Sequence, residues 1–536
     1  MRPLQLLKFL IGCTMVFAFY LGFIAIMNPS NNKQIRSFQV REKKVLLDEN
    51  NENEEININI VKNKEKIIFM DIIPKSKKIN ISNNLEKPDN LVTLKMKVTP
   101  EKLPDNNIQT DIIKDKITTN SSISNIIDEQ KVIQTTKLNT NVTRVVNEKD
   151  HTSAPIHVFY YPWYGIPKFD NGSYYHWNHH VLKKWDDPST VPSYTYQPPY
   201  EIASVYYPLL GPYSSRDPEI INKHMKMISS AGIDAIAVSW FPKDISDSEG
   251  KPWEDIIQMI LDTAIKYKLK VTFHLEPYKG RTIENVYKDI VYIIDKYGNH
   301  SGLYKMKPKK IEVNKGSSFE KDAKDIAKLE KPVFYIYDSY LIDSSEWSKL
   351  TLLNGSLTIR HSRYDSILIG LLVNESDQLE ILKAGFDGIY TYFASDGFTY
   401  GSTMNNWKNI SEYCEKNDLL FVPSVGPGYN DERVRPWNQI NTKKRNGGEY
   451  YKEHFKGAHT ARADIVSITS FNEWHEGTQI EPAVPYTDSI THPKHPFIYE
   501  AYSKEPEQYL HITLEMIKQY FTPHSKDIEV RLEAIV

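Results

Sequence analysis

Cysteine is nearly absent from this chain. Its 536 residues include two, Cys13 in an apolar N-terminal stretch and Cys414 far downstream. No disulfide can form within the downstream part, so the fold there rests on a hydrophobic core, which a chain of this size can bury. Net charge is lacking too: 66 basic against 68 acidic residues leave −2. Nothing global points to nucleic acid. Glycine-rich signatures are also missing. There is no phosphate-binding loop and no Gly-x-Ser-x-Gly nucleophile elbow. His475-Glu476 is not a zinc-protease signature, because no His stands three residues after Glu476.

One apolar run does stand out. Phe9 to Met27 is 19 residues without a charged side chain. A helix of that length spans a bilayer core. The alternative is a cleaved signal peptide, which has a shorter apolar region and a small-x-small cleavage site. Ala25-Ile26-Met27 is a poor match to that site. The flanking charges favour the opposite orientation, since Lys33, Arg36, Arg41, Lys43 and Lys44 follow the run. Eight Asn-x-Ser/Thr sequons, at Asn80, Asn120, Asn141, Asn171, Asn299, Asn354, Asn374 and Asn409, all lie beyond it. They favour a lumenal C-terminal part and a single-pass type II membrane protein. Residues 28–153 are rich in Asn, Lys, Ile and Glu and keep no clean period, so they read as a disordered stalk. The expected layout is a cytoplasmic tail (1–8), a transmembrane anchor (9–27), the stalk (28–153), a catalytic domain (154–525) and a C-terminal tail (526–536).

From residue 155 the pattern changes. Eight short β-rich runs are expected: Ile156–Tyr161, Ile233–Trp240, Lys270–Glu276, Val333–Asp338, Ser366–Leu372, Phe386–Phe393, Leu420–Val425 and Asp464–Phe471. Helical stretches such as Pro218–Ser230, Trp253–Tyr267 and Ile283–Tyr297 lie between them. That alternation predicts a parallel sheet and, at this length, an α/β fold of the (β/α)8 TIM-barrel type. An open doubly wound sheet is the alternative. It lacks support, because Tyr160-Tyr161-Pro162-Trp163-Tyr164-Gly165 stands where a glycine fingerprint would follow the first strand.

Barrel enzymes act at the C-terminal ends of their strands. There this chain places Tyr161, Trp163 and Tyr164 after the first strand, Trp240 and Phe241 after the second, and Glu276 after the third. Tyr392 ends the sixth, Arg433 and Arg435 follow the seventh, and Glu473, Trp474, His475 and Glu476 follow the eighth. Two carboxylates three residues apart can reach one pocket, the arrangement that acid–base cleavage of a glycosidic bond requires. Aromatic side chains make up 12% of the chain, many near strand ends, where they can stack on sugar faces. His176, Asn178, His179 and His180 could hold a metal, but without a Cys or an obvious carboxylate at ligand spacing a rim or substrate-contact role is favoured.

These motifs resemble the endo-α-1,2-mannosidase family, glycoside hydrolase family 99. The resemblance spans about residues 155–525. It rests on Tyr160-Tyr161-Pro162-Trp163-Tyr164, Gly232-Ile233-Asp234 with Ser239-Trp240, His274-Leu275-Glu276-Pro277-Tyr278, Arg433-Val434-Arg435-Pro436-Trp437 and Phe471 through Pro482. The anchor-and-stalk layout matches the animal members, which reside in the Golgi. The resemblance implies a retaining endo-glycosidase that removes glucosylated mannose from glucosylated high-mannose N-glycans, with no metal or other cofactor. It implies Glu473 as the base that deprotonates the substrate 2-hydroxyl, giving a 1,2-anhydro sugar. It implies Glu476 as the acid, then base. Phe241 stands where animal members often carry Tyr and bacterial ones Trp, so glucose or mannose at the terminal-sugar pocket stays open. Two non-catalytic alternatives are a lectin-like barrel and a secretory-pathway scaffold.

Overall fold

The computed structural model describes residues 154–184, 194–247, 249–314 and 329–521, with the backbone of three short strands at Ile56–Val61, Leu91–Met96 and Val142–Val146. The expected tails (1–8 and 526–536) and the apolar run Phe9–Met27 lie outside the described residues, as does most of the stalk. Among the described residues no helix is long and apolar enough to cross a membrane. The chain divides into two units. In the unit of residues 28–137, Ile56–Val61 pairs antiparallel with Leu91–Met96.

The other unit contains the expected barrel. Its strands are β1 (Ile156–Tyr160), β2 (Ala235–Trp240), β3 (Lys270–Leu275), β4 (Lys331–Ile336), β5 (Ile367–Leu371), β6 (Gly388–Tyr390), β7 (Leu420–Val422 with Ser424–Val425) and β8 (Val466–Ile468). All neighbouring pairs are parallel, from β1 with β2 round to β8 with β1. The circuit closes through β7. Pro423 has no N–H to give a ladder and divides that strand. Its first half pairs with β6 and its second half with β8. Closure excludes the open doubly wound sheet.

Both faces of these strands are buried, as a parallel sheet inside a ring of helices requires. On β1 the period of two sends Phe159 inward, against His274, Tyr335 and Tyr390. Tyr160 points the other way, and its hydroxyl bonds His224 at 2.9 Å on α1 (Pro218–Ser230). That helix starts where Asp217 caps the N–H of Glu219 at 3.0 Å and Pro218 takes the first turn. It buries Ile221, Met225 and Ile228 on one stripe. Among the described residues the remaining α-helices are α2 (Ile257–Lys266), α3 (Ile283–Tyr297), α4 (Ser344–Thr351), α5 (Asp377–Lys383), α6 (Trp407–Lys416), α7 (Glu449–Thr460) and α8 (Gln508–Tyr520). Helix α4 was not among the sequence expectations. It is eight residues long and buries only Trp347, Leu350 and Thr351, too little for a visible period.

Candidate active site

Beyond β8 the chain continues beside β1. The N–H of Phe471 donates to the carbonyl of Phe159 at 2.8 Å. Asn472 adds a side-chain rung: the N–H of Tyr161 donates to its Oδ1, and its Nδ2 donates to the Tyr161 carbonyl, each at 2.8 Å. A single 3-10 turn, Trp474–Glu476, follows and ends on Gly477 at φ +60°. A Cβ there would sit 2.8 Å from the Asn430 carbonyl oxygen, so the turn needs glycine.

Glu473 and Glu476 flank this turn. Glu473 is buried, accepts the N–H of His475 at 3.1 Å, and its own N–H donates to Ser470 Oγ at 2.8 Å. Burial and the neighbouring Glu476 push its carboxyl well above the ordinary range, against the pull of Arg435 and the His475 N–H. Burial pushes Glu476 up to about 7, opposed by Arg435 and reinforced by Asp431. Arg435 is shared: its Nη1 lies 3.2 Å from Asp431 and 3.6 Å from Glu476. That division of one cation leaves Glu476 able to hold a proton near neutrality.

Glu276, after β3, belongs to the same electrostatic cluster. Ser239 Oγ donates to its Oε1 at 2.8 Å, and His274 Nδ1 lies 3.2 Å from that oxygen. The hydroxyls of Tyr161 and Tyr392 are hydrogen-bonded to each other. Burial holds Tyr161 protonated, and Glu276, Glu473 and Glu476 all push the same way, so the tyrosine sits within the field of all three carboxylates. Tyr392 adopts φ +51°, a conformation rare outside glycine. Trp163 and Phe241 are half-buried and, with Ser239, line a small hollow. Trp240, which also lines it, is buried, and its indole N–H has no protein partner.

The expected site residues thus take three positions. Tyr161, Glu276, Tyr392 and Arg435 act electrostatically with Glu473 and Glu476, and Trp163, Trp240 and Phe241 line a separate hollow that meets this group where Trp163 packs on Tyr161 at 4.5 Å. Tyr164, Trp474 and His475 brace the turn from behind. The hydroxyl of Tyr164 donates to the Asn472 carbonyl at 3.0 Å and accepts the Trp474 N–H at 3.1 Å. The Trp474 ring is fully buried, with Nε1 donating to Glu481 at 3.0 Å and Tyr213 at 3.2 Å. His475 Nδ1 donates to the carbonyl of Ala203 at 2.9 Å. Arg433 lies elsewhere, 3.4 Å from Glu201 and packed on Phe497 and Tyr196.

Several residues had no signal in the sequence. Asp431 takes half of Arg435. Arg445 donates from Nη2 to the carbonyls of Gly477 at 2.9 Å and Gln479 at 2.7 Å, with its guanidinium against Tyr206, Tyr502 and Tyr509. The expected histidine cluster divides. His176 bonds Asp247 at 3.0 Å, whereas His179, His180 and Glu249 place potential ligand atoms within 4.8 Å of one another. That trio offers a cation three ligand atoms but includes neither carboxylate of the pair.

The profile of glycosyl hydrolase family 99 matches residues 152–522. A rat protein named glycoprotein endo-alpha-1,2-mannosidase is 47% identical over 368 residues, 68% of this chain and 74% of that protein. A human glycoprotein endo-alpha-1,2-mannosidase-like protein is 45% identical over 374 residues, covering 67% and 78%. The structure of the GH99 endo-alpha-mannosidase from Bacteroides thetaiotaomicron aligns with a TM-score of 0.60 at 37% identity, covering 71% of this chain and all of that one.

Proposed function

Because the chain belongs to glycosyl hydrolase family 99 and is a glycoside hydrolase, we propose that it is a retaining endo-α-1,2-mannosidase that releases glucosylated mannose (Glc-α-1,3-Man and longer) from glucosylated high-mannose N-glycans. The observation that carries this reading is the pair Glu473, buried, and Glu476, half-buried, beyond the end of β8, both raised and both pulled back by the charge of Arg435.

Mannose has an axial 2-hydroxyl, trans to an α-linked leaving group, so its oxygen can attack the anomeric carbon in line. Glu473 takes the 2-hydroxyl proton. A desolvated carboxylate with a raised proton affinity is the better base toward so weak an acid. Two adjacent carboxylates do not both ionise readily, so one proton belongs to the pair, and the first step uses the state in which Glu476 holds it and Glu473 is the base. Glu476 gives that proton to the leaving oxygen as the C1–O bond breaks, and a 1,2-anhydro sugar results. Glu476, now ionised, takes a proton from water as the water oxygen attacks C1. The epoxide C1–O2 bond opens and O2 recovers its proton from Glu473. Two inversions at C1 give retention. Tyr161, Trp163, Phe241, Glu276, Tyr392 and Arg435 contact the sugars, and no metal takes part. The sequons and the run Phe9–Met27 support a Golgi membrane protein of type II topology with a lumenal catalytic domain.

The test is product analysis on glucosylated and non-glucosylated oligomannose glycans. A glucosylated disaccharide or longer fragment with retained configuration is expected. Release of single mannose residues, or no cleavage of either glycan, refutes the assignment.

A further inference from the structure

Three side chains near the catalytic turn come together without serving any step of the reaction. His179 and His180 belong to the stretch after β1, and Glu249 to the loop after β2. Each presents one ligand atom, and no two of these atoms are more than 4.8 Å apart. The sequence offered the histidines without a carboxylate at ligand spacing, and the fold brings Glu249 to them. His179 Nδ1 lies 2.7 Å from the His180 carbonyl, which can only accept, so Nδ1 carries the proton of that bond. Nε2 is the nitrogen left open. Opposite it stands Glu249 Oε1 at 3.7 Å, beyond hydrogen-bond length. The two side chains are only 10% and 16% exposed. The rings of His179 and His180 are stacked, 4.9 Å apart at 9°, which keeps the second imidazole beside the first.

These distances fit a small cation. Zinc binds imidazole nitrogen and carboxylate oxygen at about 2.0–2.2 Å, so two ligands of a tetrahedral zinc stand about 3.4 Å apart. The gap between His179 and Glu249 is within a few tenths of an ångström of that. Any further closure, at most from 4.8 Å, falls to His180, the exposed member, through a change of rotamer. A metal-ligating histidine commonly gives its other ring N–H to a carbonyl, which fixes the ring, and His179 already does so. Asp247 holds the two loops in register. Its Oδ1 accepts the Glu249 N–H at 2.9 Å, and its Oδ2 lies 3.0 Å from His176 Nε2. The His176 carbonyl in turn accepts the His179 N–H at 3.2 Å. Two imidazoles and one carboxylate suit a late first-row divalent ion, whereas magnesium and calcium take oxygen ligands.

We propose that His179, His180 and Glu249 form a zinc site that pins the loop after β2 to the stretch after β1. The ion takes three protein ligands and a water, and it acts as a structural brace. It is separate from the proposed reaction, whose carboxylates it does not touch, and it does not depend on the substrate assigned above. The braced loop starts at Phe241 in the hollow, and the His179 ring packs on His475 of the catalytic turn at 4.9 Å. Zinc therefore stabilises the folded chain at a place where two loops after different strands otherwise meet through Asp247 and His176.

The test uses full-length protein without an affinity tag, stripped with a chelator and titrated with Zn2+ by calorimetry at neutral pH. One equivalent should bind, and E249Q and H180A should each weaken binding at least ~10-fold. With zinc about 100-fold above Kd, the Tm of the parent should rise by about 3–4 °C. Millimolar Ca2+ or Mg2+ should not reproduce that rise. In the stripped state both variants should melt within about 1 °C of the parent, which separates lost ligation from lost folding. A parent that binds no zinc, a bound ion that survives both substitutions, or equal stabilisation by calcium overturns the proposal. Binding and melting are read without substrate, so an error in the assigned activity leaves both readouts unchanged.

Discussion

Replacing Arg435 with Gln should extend activity to higher pH rather than merely weaken it. Glu476, the acid of the proposed first step, sits at about 7 in the free enzyme. Activity on a substrate with a poor leaving group therefore falls as pH rises through that value. Arg435 stabilises the ionised form of Glu476, and removing it pushes the carboxyl up. Opposite charges about 4 Å apart near a protein surface interact by about 4 kcal/mol. The guanidinium is about one-third exposed and divides its charge between Glu476 at 3.6 Å and Asp431 at 3.2 Å. About half, ~2 kcal/mol, is a reasonable share for Glu476. At about 1.4 kcal/mol per unit, that is a shift of roughly 1.5 pH units. Asp431, once unpaired, pushes the same way. The assay is kcat/KM on an oligomannose glycan from pH 5 to 9.5, comparing the position of the alkaline limb rather than the plateau, which Arg435 also affects if it touches sugar. A limb that stays in place or moves down refutes the reasoning, because Glu476 would then not be the acid or Arg435 not its counter-ion.

Glu473→Gln and Glu476→Gln should each lose on the order of 10²–10⁴-fold on glycan. With an activated leaving group only Glu476→Gln should regain its first step, as pre-steady-state release of the leaving group would show. Arg445→Ala should destabilise the fold by about 3 kcal/mol, since it leaves the Gly477 and Gln479 carbonyls without their buried donor; denaturant unfolding measures this. A secreted form beginning near residue 150 should be folded and active, because the first barrel strand begins at Ile156; soluble expression with a turnover assay tests that boundary.

What was legible in the sequence follows from how each feature is encoded. Strands and helices are local, and their periods of 2 and 3.6 are written in neighbouring residues. Helices Pro218–Ser230 and Ile283–Tyr297 match their expected limits, and all eight strands stand where the apolar runs placed them. Glu473, Glu476, Glu276 and Tyr392 could be expected to come together because a barrel converts position along a strand into position in space, with strand C-terminal ends at one mouth. The β7 break was also local, since Pro423 sits inside Leu420–Val425.

What supports those residues is written differently. Asp247 is 71 positions from His176, and His176 is 299 from His475. Asp247, Asp431 and Arg445 lie in loops whose paths no period specifies. The same gap explains Tyr164 and Trp474. Their place after strands marked them as sugar contacts, yet a strand-end position does not say which way a loop side chain turns. The Trp474 ring lies toward Glu481 and Tyr213, seven and 261 positions away. Strand-end position therefore identifies which groups can do chemistry. Their protonation depends on charges brought in by loops, as with Arg435 between Asp431 and Glu476, and that part of the mechanism becomes visible only once the chain is folded.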